Sequence, residues 1–364
     1  MLSVSRKKVI TPPRDLKTFP TTRYQGSKRK ILPWIYEVVN SLSFKTVLDV
    51  FGGTASVSYL FKRMDKIVTY NDSLRFNYLI GKAIIENDSV LLEKVDIDDL
   101  LTKLNSDQNS RFIQNHFKGQ YFLDNENKWL DQVTSNIVQM NHYSEDILDY
   151  KKDLAFYALF QACLIKRPFN LFHRKNLSLR TRDVERSFRN KIQWDKSFEV
   201  HFKRFVNEVN SLVFNSGMKC RSLQMNALEL QDNEYDLVYL DPPYFRKDSR
   251  NETSNYLKCY HFLEGLANFP DWISDQKFHE QYLSSDINKK NIREVLENLC
   301  VNFRNSTLLI SYKAYGEPSI SWICSVLRKL GKSVHTRSKH YAYALNHQNG
   351  DAIKNREVLI IGTD

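Results

Sequence analysis

The sequence has few cysteines, and none of them belongs to a CxxC pair. Its 364 residues contain five, scattered singly as Cys163, Cys220, Cys259, Cys300 and Cys324. An odd, unpaired set excludes a disulfide framework, and without CxxC spacing it also argues against a zinc site. We therefore predict no metal centre, and we expect the protein in a reducing cytoplasm.

Long apolar segments are also missing. No apolar run approaches the roughly 18 residues of a membrane span. The first fifteen residues, MLSVSRKKVITPPRD, lack the apolar core of a signal peptide. We expect no membrane partner. The hydrophobic content of 42% is enough to bury the core of one large globular domain or of two ordinary ones.

Positive charge is concentrated in two blocks of the chain. Residues 1–30 carry nine Lys/Arg against one acid, and residues 151–206 carry fourteen against five. Because the net charge of the whole chain is +11, the remainder is acidic, at about −6. Basic blocks on an acidic protein favour a polyanion partner, since neutralised phosphates release counterions. Solvated basic helix faces are the alternative interpretation.

Short apolar runs alternate with helical patterns along much of the chain. The predicted strands are 45–51, 66–72, 218–224, 235–241, 306–313 and 357–362. The predicted helices follow a Gly-Gly turn through Leu60 and Phe61, cover 73–85, and lie near 318–330. Strands that alternate with helices indicate an α/β fold with a parallel, doubly wound sheet.

A long interruption separates the second helix from residue 218. The gap of about 130 residues is more than a connection between a helix and a strand needs. We predict an inserted, largely helical domain, which divides the chain into 1–86, 87–215 and 216–364. The polar tract 244–256 offers little to bury and is expected to be a mobile loop.

Glycines and an acid follow the first two predicted strands. In DVFGGTAS (49–56), Gly52 and Gly53 allow a tight turn that brings the backbone close to a ligand, although such a turn can also be purely structural. Asp72 ends the next strand 19 residues after Gly53, near the spacing at which nucleotide-binding α/β proteins place an acid on ribose hydroxyls. The absence of a full GxGxxG argues against a dinucleotide.

The stretch VYLDPPYF (238–245) ends a buried strand in an unusual way. Two prolines stop the strand at Asp241, at the carboxyl end where open α/β sheets bind ligands. The acid and a neighbouring carbonyl can accept both hydrogens of an amino group, and Tyr244 can stack on the ring that carries it. These groups suit the methylation of an aryl amine. A simple strand terminator is the alternative.

Three motifs together carry a family resemblance. RYQGSK (23–28), DVFGG (49–53) and DPPY (241–244), in this order with a large insertion before the last, resemble the Dam-like N6-adenine DNA methyltransferases of the alpha motif order. The resemblance implies a Rossmann-like sheet, S-adenosyl-L-methionine as cofactor, an adenine flipped out of double-stranded DNA, and an inserted target-recognition domain. It also implies a bacterial cytoplasm or nucleoid, and a cognate restriction endonuclease as an optional partner.

The resemblance assigns roles to matching positions. Lys28 faces the methionine carboxylate of the cofactor, Asp72 takes the ribose hydroxyls, and Asn226 stands where the family often has an Asp that binds the cofactor's adenine. The implied cofactor residues are Tyr24, Lys28, Phe51, Gly52, Gly53, Asp72, Asn226 and Asp241. The implied catalytic residues are Asp241, Pro242, Pro243 and Tyr244, with the Asp241 carboxylate and the Pro242 carbonyl accepting from N6.

The insertion contains KRPFNLFHRKNLSLRTR (166–182), which resembles the Arg- and Asn-rich stretch that such enzymes place against DNA. Arg and Lys can reach phosphates, and Arg or Asn can read base edges. The implied DNA contacts are Lys166, Arg167, Asn170, Arg174, Lys175 and Asn176. His173 has no partner acid at a suggestive spacing, so we predict a phosphate or core contact for it.

Two other functions stay open at this stage. An RNA adenine N6-methyltransferase would use the same pocket, because the DPPY motif does not reveal the sugar. A catalytically inactive DNA-binding specificity protein is the second alternative. The insertion and RYQGSK favour DNA, and the intact Asp72 and Asp241 argue against an inactive protein.

Overall fold

The computed structural model describes residues 18–364 apart from 23, 103–109, 183–189, 233, 246–254, 276–286 and 342–355. Within these residues a sheet of seven strands forms, with the order β3-β2-β1-β4-β5-β7-β6. The strands are β1 (Thr46–Asp49), β2 (Ile67–Asn71), β3 (Arg221–Leu223), β4 (Leu237–Leu240), β5 (Thr307–Lys313), β6 (Ser333–His340) and β7 (Arg356–Thr363).

The sheet is parallel from β3 to β5, whereas β7 runs antiparallel to both of its neighbours, β5 and β6. The α/β class and the Rossmann-like sheet are therefore confirmed, but the expectation of a wholly parallel sheet is wrong at this edge. The sequence analysis also missed β6. Its residues, SVHTRSKH, contain a single large apolar side chain because the strand lies at the mostly exposed edge of the sheet.

Both faces of the sheet are covered. Alternate residues of β4 divide between two hydrophobic clusters: Leu237 and Tyr239 belong to one, and Val238 and Leu240 to the other. A central parallel strand that is buried on both faces has no polar alternation, which is why this segment is a continuous apolar run. Helices α13 (Ile292–Asn302) and α14 (Ile320–Lys329) supply buried residues to the cluster of Val238.

The remaining helices of the described residues precede α13. They are α1 (Leu32–Val39), α2 (Ser56–Arg63), α3 (Arg75–Gly81, which continues as a π-helical turn, Lys82–Glu86), α4 (Lys94–Leu101), α5 (Phe112–His116), α6 (Asp124–Gln139), α7 (Glu145–Lys166), α8 (Ser178–Thr181), α9 (Asn190–Asp195), α10 (Phe198–Leu212), α11 (Tyr256–Ala267) and α12 (Phe269–Ser274). None of the helices in the described ranges is long and apolar enough to cross a membrane.

The long segment between the second helix and β3 is helical, as predicted. Its helix α7 packs against α10 and against α3, and the buried residues of these helices join the same cluster as Leu237 and Tyr239 of the sheet. This segment therefore shares a hydrophobic core with one face of the sheet. The domain boundaries 1–86, 87–215 and 216–364 stay predictions. All five cysteines are buried and free.

Candidate active site

A cavity of about 350 Å³ lies at the carboxyl ends of β1, β2 and β4. Its lining includes the eight predicted cofactor positions: Tyr24, Lys28, Phe51, Gly52, Gly53, Asp72, Asn226 and Asp241. Of the predicted catalytic residues, Asp241, Pro243 and Tyr244 line the cavity, whereas Pro242 is buried and does not. Residues that are more than 200 positions apart in the sequence thus share one cavity, in the size range of small-molecule sites.

The glycine turn after β1 is fixed by its neighbours. A Cβ on Gly52 would come within 2.0 Å of the Tyr70 ring, and Gly53 has a φ of +50°, which favours glycine. The Tyr70 hydroxyl donates to the Gly53 carbonyl (2.9 Å), and the Gly53 N–H donates to Asp72 Oδ2 (2.9 Å). The other oxygen of Asp72 accepts from the Leu74 N–H (2.9 Å). Because a carboxylate has about four acceptor sites, Asp72 retains capacity for ligand hydroxyls.

Two acids at the ends of neighbouring strands have raised pKa values. Asp49 ends β1 and is 1% exposed, and burial raises its pKa to about 7 although the Ser58 hydroxyl donates to Oδ2 at 2.6 Å. Burial likewise raises the pKa of Asp72 against the two backbone N–H groups that lower it. A ligand that brings positive charge would stabilise the ionised form of such buried acids and lower their pKa.

The Asp241 carboxylate is held by two donors of the protein. Lys28 Nζ lies 2.7 and 2.6 Å from its oxygens, and the Tyr244 hydroxyl donates to Oδ1 at 2.5 Å. Burial raises the pKa of Asp241; the Lys28 charge opposes this effect, and the charge of Glu357 adds to it. The Tyr244 hydroxyl is also 2.8 Å from Glu357 Oε1, so it bridges two acids.

Lys28 is predicted to face a ligand carboxylate, but its ammonium is paired with Asp241 in the structure. Its side chain is 3% exposed, and it lies 3.6 Å from Glu357 Oε1 and 4.9 Å from the centre of the Tyr244 ring. Burial opposes the charge of Lys28, but Asp241 and Glu357 outweigh burial and raise its pKa. Lys28 is therefore a charged partner of the catalytic motif, and its contact with a cofactor stays a prediction.

The other two polar positions of the cofactor prediction are held by local contacts. Asn226 Oδ1 accepts from the Leu228 N–H (3.1 Å) and so caps a short 3₁₀ turn, Ala227–Glu229. Tyr24 stacks on Tyr260, with ring centres 4.5 Å apart. Both side chains line the cavity, and both are oriented before any ligand binds.

The sequence analysis missed several lining residues. Leu257, His261 and Glu264 line the cavity from one face of α11, at the i, i+4, i+7 spacing of a helix. That spacing was visible, but nothing in the sequence indicated which face meets the cavity. The sequence analysis also missed Glu357, which contacts the lining residues Lys28 and Tyr244. An acid just before a buried apolar run is expected to end in solvent, whereas this side chain is 0% exposed.

Two of the predicted DNA contacts are corrected by the structure. Lys166 is 1% exposed, with its ammonium 2.7 Å from Glu126 Oε1 and bonded to the Trp194 carbonyl (2.9 Å). Arg167 is also 1% exposed; it donates to the carbonyls of Leu171 and Arg174. Buried and internally bonded cations do not present charge to a phosphate backbone. These two residues instead fix the loop that follows them.

The rest of that loop is more exposed. Arg174 and Lys175 are exposed, Asn170 is partly exposed, and the Asn176 side-chain oxygen accepts from Arg167 at 2.6 Å. Phe169, which the sequence analysis did not select, is 63% exposed and has a φ of +61°. An exposed phenyl ring on a strained backbone is an unusual combination.

The loop lies next to the cavity wall. The Phe172 N–H donates to the Cys259 carbonyl (2.8 Å), and the same helix, α11, lines the cavity through His261. His173 is partly exposed, with Nδ1 at 4.0 Å from the Cys259 sulfur. The first seventeen residues of the basic block 1–30, and 246–254 of the polar tract 244–256, lie outside the described residues.

Comparison with known proteins decides the family. The sequence model of the D12 class N6 adenine-specific DNA methyltransferases matches residues 24–298. The chain belongs to this family. The methyltransferase is 27% identical over 350 residues to the type II methyltransferase M2.HphI of Haemophilus parahaemolyticus, a match that covers 94% of this chain and 97% of the relative.

Other relatives agree with this assignment. The methyltransferase is 24% identical over 322 residues to the type II methyltransferase M.NlaIII of Neisseria lactamica, covering 85% and 88% of the two chains. It is 26% identical over 333 residues to the type II methyltransferase M.FokI of Planomicrobium okeanokoites, covering 85% of this chain and 47% of that one. The resemblance predicted from the three motifs is confirmed, and the chain is a site-specific adenine DNA methyltransferase rather than an RNA enzyme or an inactive specificity protein.

Proposed function

We propose that the cavity binds S-adenosyl-L-methionine as the methyl donor and receives the target adenine at Asp241–Tyr244. One observation carries this proposal: the glycine turn and Asp72 line the same cavity as Asp241 and Tyr244. A donor held at the ends of β1 and β2 would therefore lie beside the motif that holds the acceptor. The cofactor supplies a methyl group on a positively charged sulfur.

The side chains of the cavity suit this cofactor. Asp72 has acceptor capacity for ribose hydroxyls, and Gly52 and Gly53 leave the backbone open where a Cβ would intrude. Four acids line the cavity, Asp49, Asp72, Asp241 and Glu264, and burial raises the pKa of each. A cationic ligand favours their ionised forms, so the lining is matched to a sulfonium and an ammonium group.

Asp241, Pro242 and Tyr244 would orient the target base. An adenine in a duplex cannot reach the cavity, so it must be flipped out, at a cost of a few kcal/mol of unstacking. The Asp241 carboxylate and the Pro242 carbonyl accept hydrogen bonds from N6 and direct its lone pair toward the methyl group. The amine would gain an N–C bond as the sulfur–methyl bond of the donor breaks and leaves a neutral thioether, and it would lose one N–H proton to a carboxylate oxygen of Asp241. Positioning and preorganised acceptors supply the catalysis.

DNA would lie across the loop beside the cavity. We assign backbone and base contacts to Asn170, Arg174, Lys175 and Asn176, of which Arg174 and Lys175 are the exposed cations. We add Phe169 as an apolar contact with the bases, because this large apolar residue is 63% exposed on the same loop. Sequence specificity then comes from the side chains that reach base edges.

The type II names of the relatives extend the proposal. We propose that the methyltransferase protects the DNA of a bacterial cytoplasm or nucleoid from a cognate restriction endonuclease. Expression in a host without adenine methylation, followed by long-read mapping of N6-methyladenine, would return the recognition site. Methylated DNA should then resist any endonuclease that cuts at that site.

The test of the catalytic assignment compares Asp241→Ala with Asp72→Ala. We expect Asp241→Ala to abolish incorporation of tritiated methyl groups into DNA while it retains the fold, because the prolines still end the strand. Asp72→Ala should instead weaken binding of S-adenosyl-L-methionine at least tenfold, or about 1.4 kcal/mol, by calorimetry. Near-normal turnover by Asp241→Ala would overturn the proposed mechanism, and unchanged affinity in Asp72→Ala would remove that acid from the cofactor site.

A further inference from the structure

Glu357 begins the buried part of β7, beyond the residues matched by the family, and its side chain contacts two residues that line the candidate active site. It is 0% exposed. Its Oε1 accepts from the Ser311 hydroxyl (2.6 Å), and it lies 2.8 Å from the Tyr244 hydroxyl and 3.6 Å from Lys28 Nζ. Glu357 therefore touches the same two donors, Lys28 and Tyr244, that hold Asp241.

Those two donors occupy most of the acceptor sites of the Asp241 carboxylate. Lys28 contacts both carboxylate oxygens, and the Tyr244 hydroxyl contacts Oδ1. A target amine that donates to Asp241 competes with these contacts. A phenol has only one proton, so Tyr244 can donate to Asp241 or to Glu357 but not to both at once. The hydroxyl lies within hydrogen-bond distance of each, so a rotation of its O–H bond is enough to change the acceptor.

We propose that Glu357 is a positioning residue, which takes over the Tyr244 hydroxyl and the Lys28 ammonium when the target amine reaches Asp241. The proposal rests on the proposed function of Asp241. Lys28 would need to approach Glu357 by roughly 1 Å to reach hydrogen-bond distance. The exchange frees an ionised Asp241 without leaving a buried ammonium or phenol unpaired. It also gives the Tyr244 hydroxyl a role, although stacking of the ring alone would not need one.

The charge of Glu357 adds a second effect. It helps burial to raise the pKa of Asp241, and the Lys28 ammonium opposes it. The other titratable groups that face Asp241 are Asp49, Tyr239, Tyr244, Tyr256 and Tyr341, and Lys313 and Lys339 stand opposite Glu357 on the flanking strands. Glu357→Gln leaves these groups unchanged and removes one negative charge. The pKa of Asp241 should fall, and the acid limb of the kcat profile should move to lower pH.

The experiment combines Glu357→Gln with Tyr244→Phe, because the two variants interrupt the same exchange. Each should lower kcat at least tenfold with affinity for S-adenosyl-L-methionine within about twofold of the original, and the double variant should be no worse than the poorer single variant. Independent effects would multiply instead. The matched control is Asp131→Asn, a buried acid that accepts from the Ile113 and Gln114 N–H groups outside the cavity, which should lower stability without changing kcat or its pH profile.

Each outcome decides the proposal. Full turnover in Glu357→Gln or Tyr244→Phe, or multiplying effects in the double variant, would overturn it, as would an acid limb that stays in place. If Glu357→Gln does not fold, Tyr244→Phe alone still tests the exchange through its kcat. Asp241→Ala distinguishes failure of the proposed function from failure of the role of Glu357. An active Asp241→Ala protein refutes the proposed function, whereas an inactive one together with a fully active Glu357→Gln protein refutes only the role of Glu357.

Discussion

Neutralising Arg174 and Lys175 together should weaken DNA binding in a salt-dependent way. Both side chains are exposed on the loop beside the cavity. Each phosphate contact contributes about 0.9 to the slope of log affinity against log salt, so Arg174→Gln with Lys175→Gln should reduce the slope by up to about 1.8. Between 50 and 200 mM salt, this difference in slope changes the ratio of the affinity of the original protein to that of the double variant by about tenfold.

Substitution of the buried Lys166 should instead lower the stability of the fold and leave the salt dependence of DNA binding unchanged. Lys166→Met removes one partner of a buried ion pair, a change that costs about 3–5 kcal/mol in proteins. Glu126 also accepts from Arg180 through both oxygens, at 2.9 and 2.7 Å, so its charge stays paired after the substitution. We therefore expect a loss near the lower end of that range, with no change in the salt slope.

The assay is fluorescence anisotropy with a duplex that contains the mapped recognition site, titrated at several salt concentrations, together with chemical denaturation. Lys203→Gln is the control for loss of an exposed charge, since Lys203 is an exposed cation of α10 that is paired with Glu199. An unchanged slope after the loss of Arg174 and Lys175 would refute their contact with DNA, and the basic block 1–30 would be the first alternative. A lower slope in a stable Lys166→Met protein would restore a direct contact for Lys166.

Two further predictions concern the cavity. Overpacking costs about 1–3 kcal/mol in proteins, and Gly52→Ala should destabilise the fold by at least the upper end of this range, because the new Cβ meets a Tyr70 ring that is tethered through its hydroxyl. The same substitution should weaken donor binding in calorimetry. Gly217→Ala, which adds a Cβ in open space, should leave donor binding unchanged. Affinity for the cationic donor should rise with pH through about 7 as Asp49 ionises, and Asp49→Asn should flatten this rise in calorimetric titrations. The pKa of Glu264 is also about 7. A rise that persists in Asp49→Asn and disappears in Glu264→Gln would therefore assign the pH dependence to Glu264.

Only strands that contain several apolar residues can be predicted from the sequence. Buried central strands such as β4 are continuous apolar runs, so six of the strands and the ends that carry Asp72 and Asp241 could be placed. The edge strand β6 could not, because an exposed strand does not need apolar residues. Its absence from the prediction also hid the antiparallel pairing of β6 with β7, the strand on which Glu357 lies.

Burial of charged side chains also could not be predicted from the sequence. A run of Lys and Arg indicates a basic surface, because charged side chains are rarely buried without a partner. The partner of Lys166 is Glu126, forty positions away on α6, and the main acceptors of Arg167 are carbonyls of its own loop. Neither contact leaves a pattern in one sequence. The motif residues are easier to find because their chemistry, rather than their environment, dictates their identity.

The division of charge between cavity and surface fits the proposal that a single base, and not the DNA backbone, enters the cavity. Among the described residues, four carboxyl groups line the cavity against one lysine, Lys28, which is already paired with Asp241. Such a lining would attract a cationic methyl donor and repel a phosphate, while the exposed cations of the neighbouring loop would attract the backbone. An adenine carries no charge, so it can leave the duplex and enter where its own phosphates cannot follow. The negative charge of Glu357 adds to that of the lining acids, so the acid that raises the pKa of Asp241 would also help to exclude the backbone, alongside the positioning role that we propose for it.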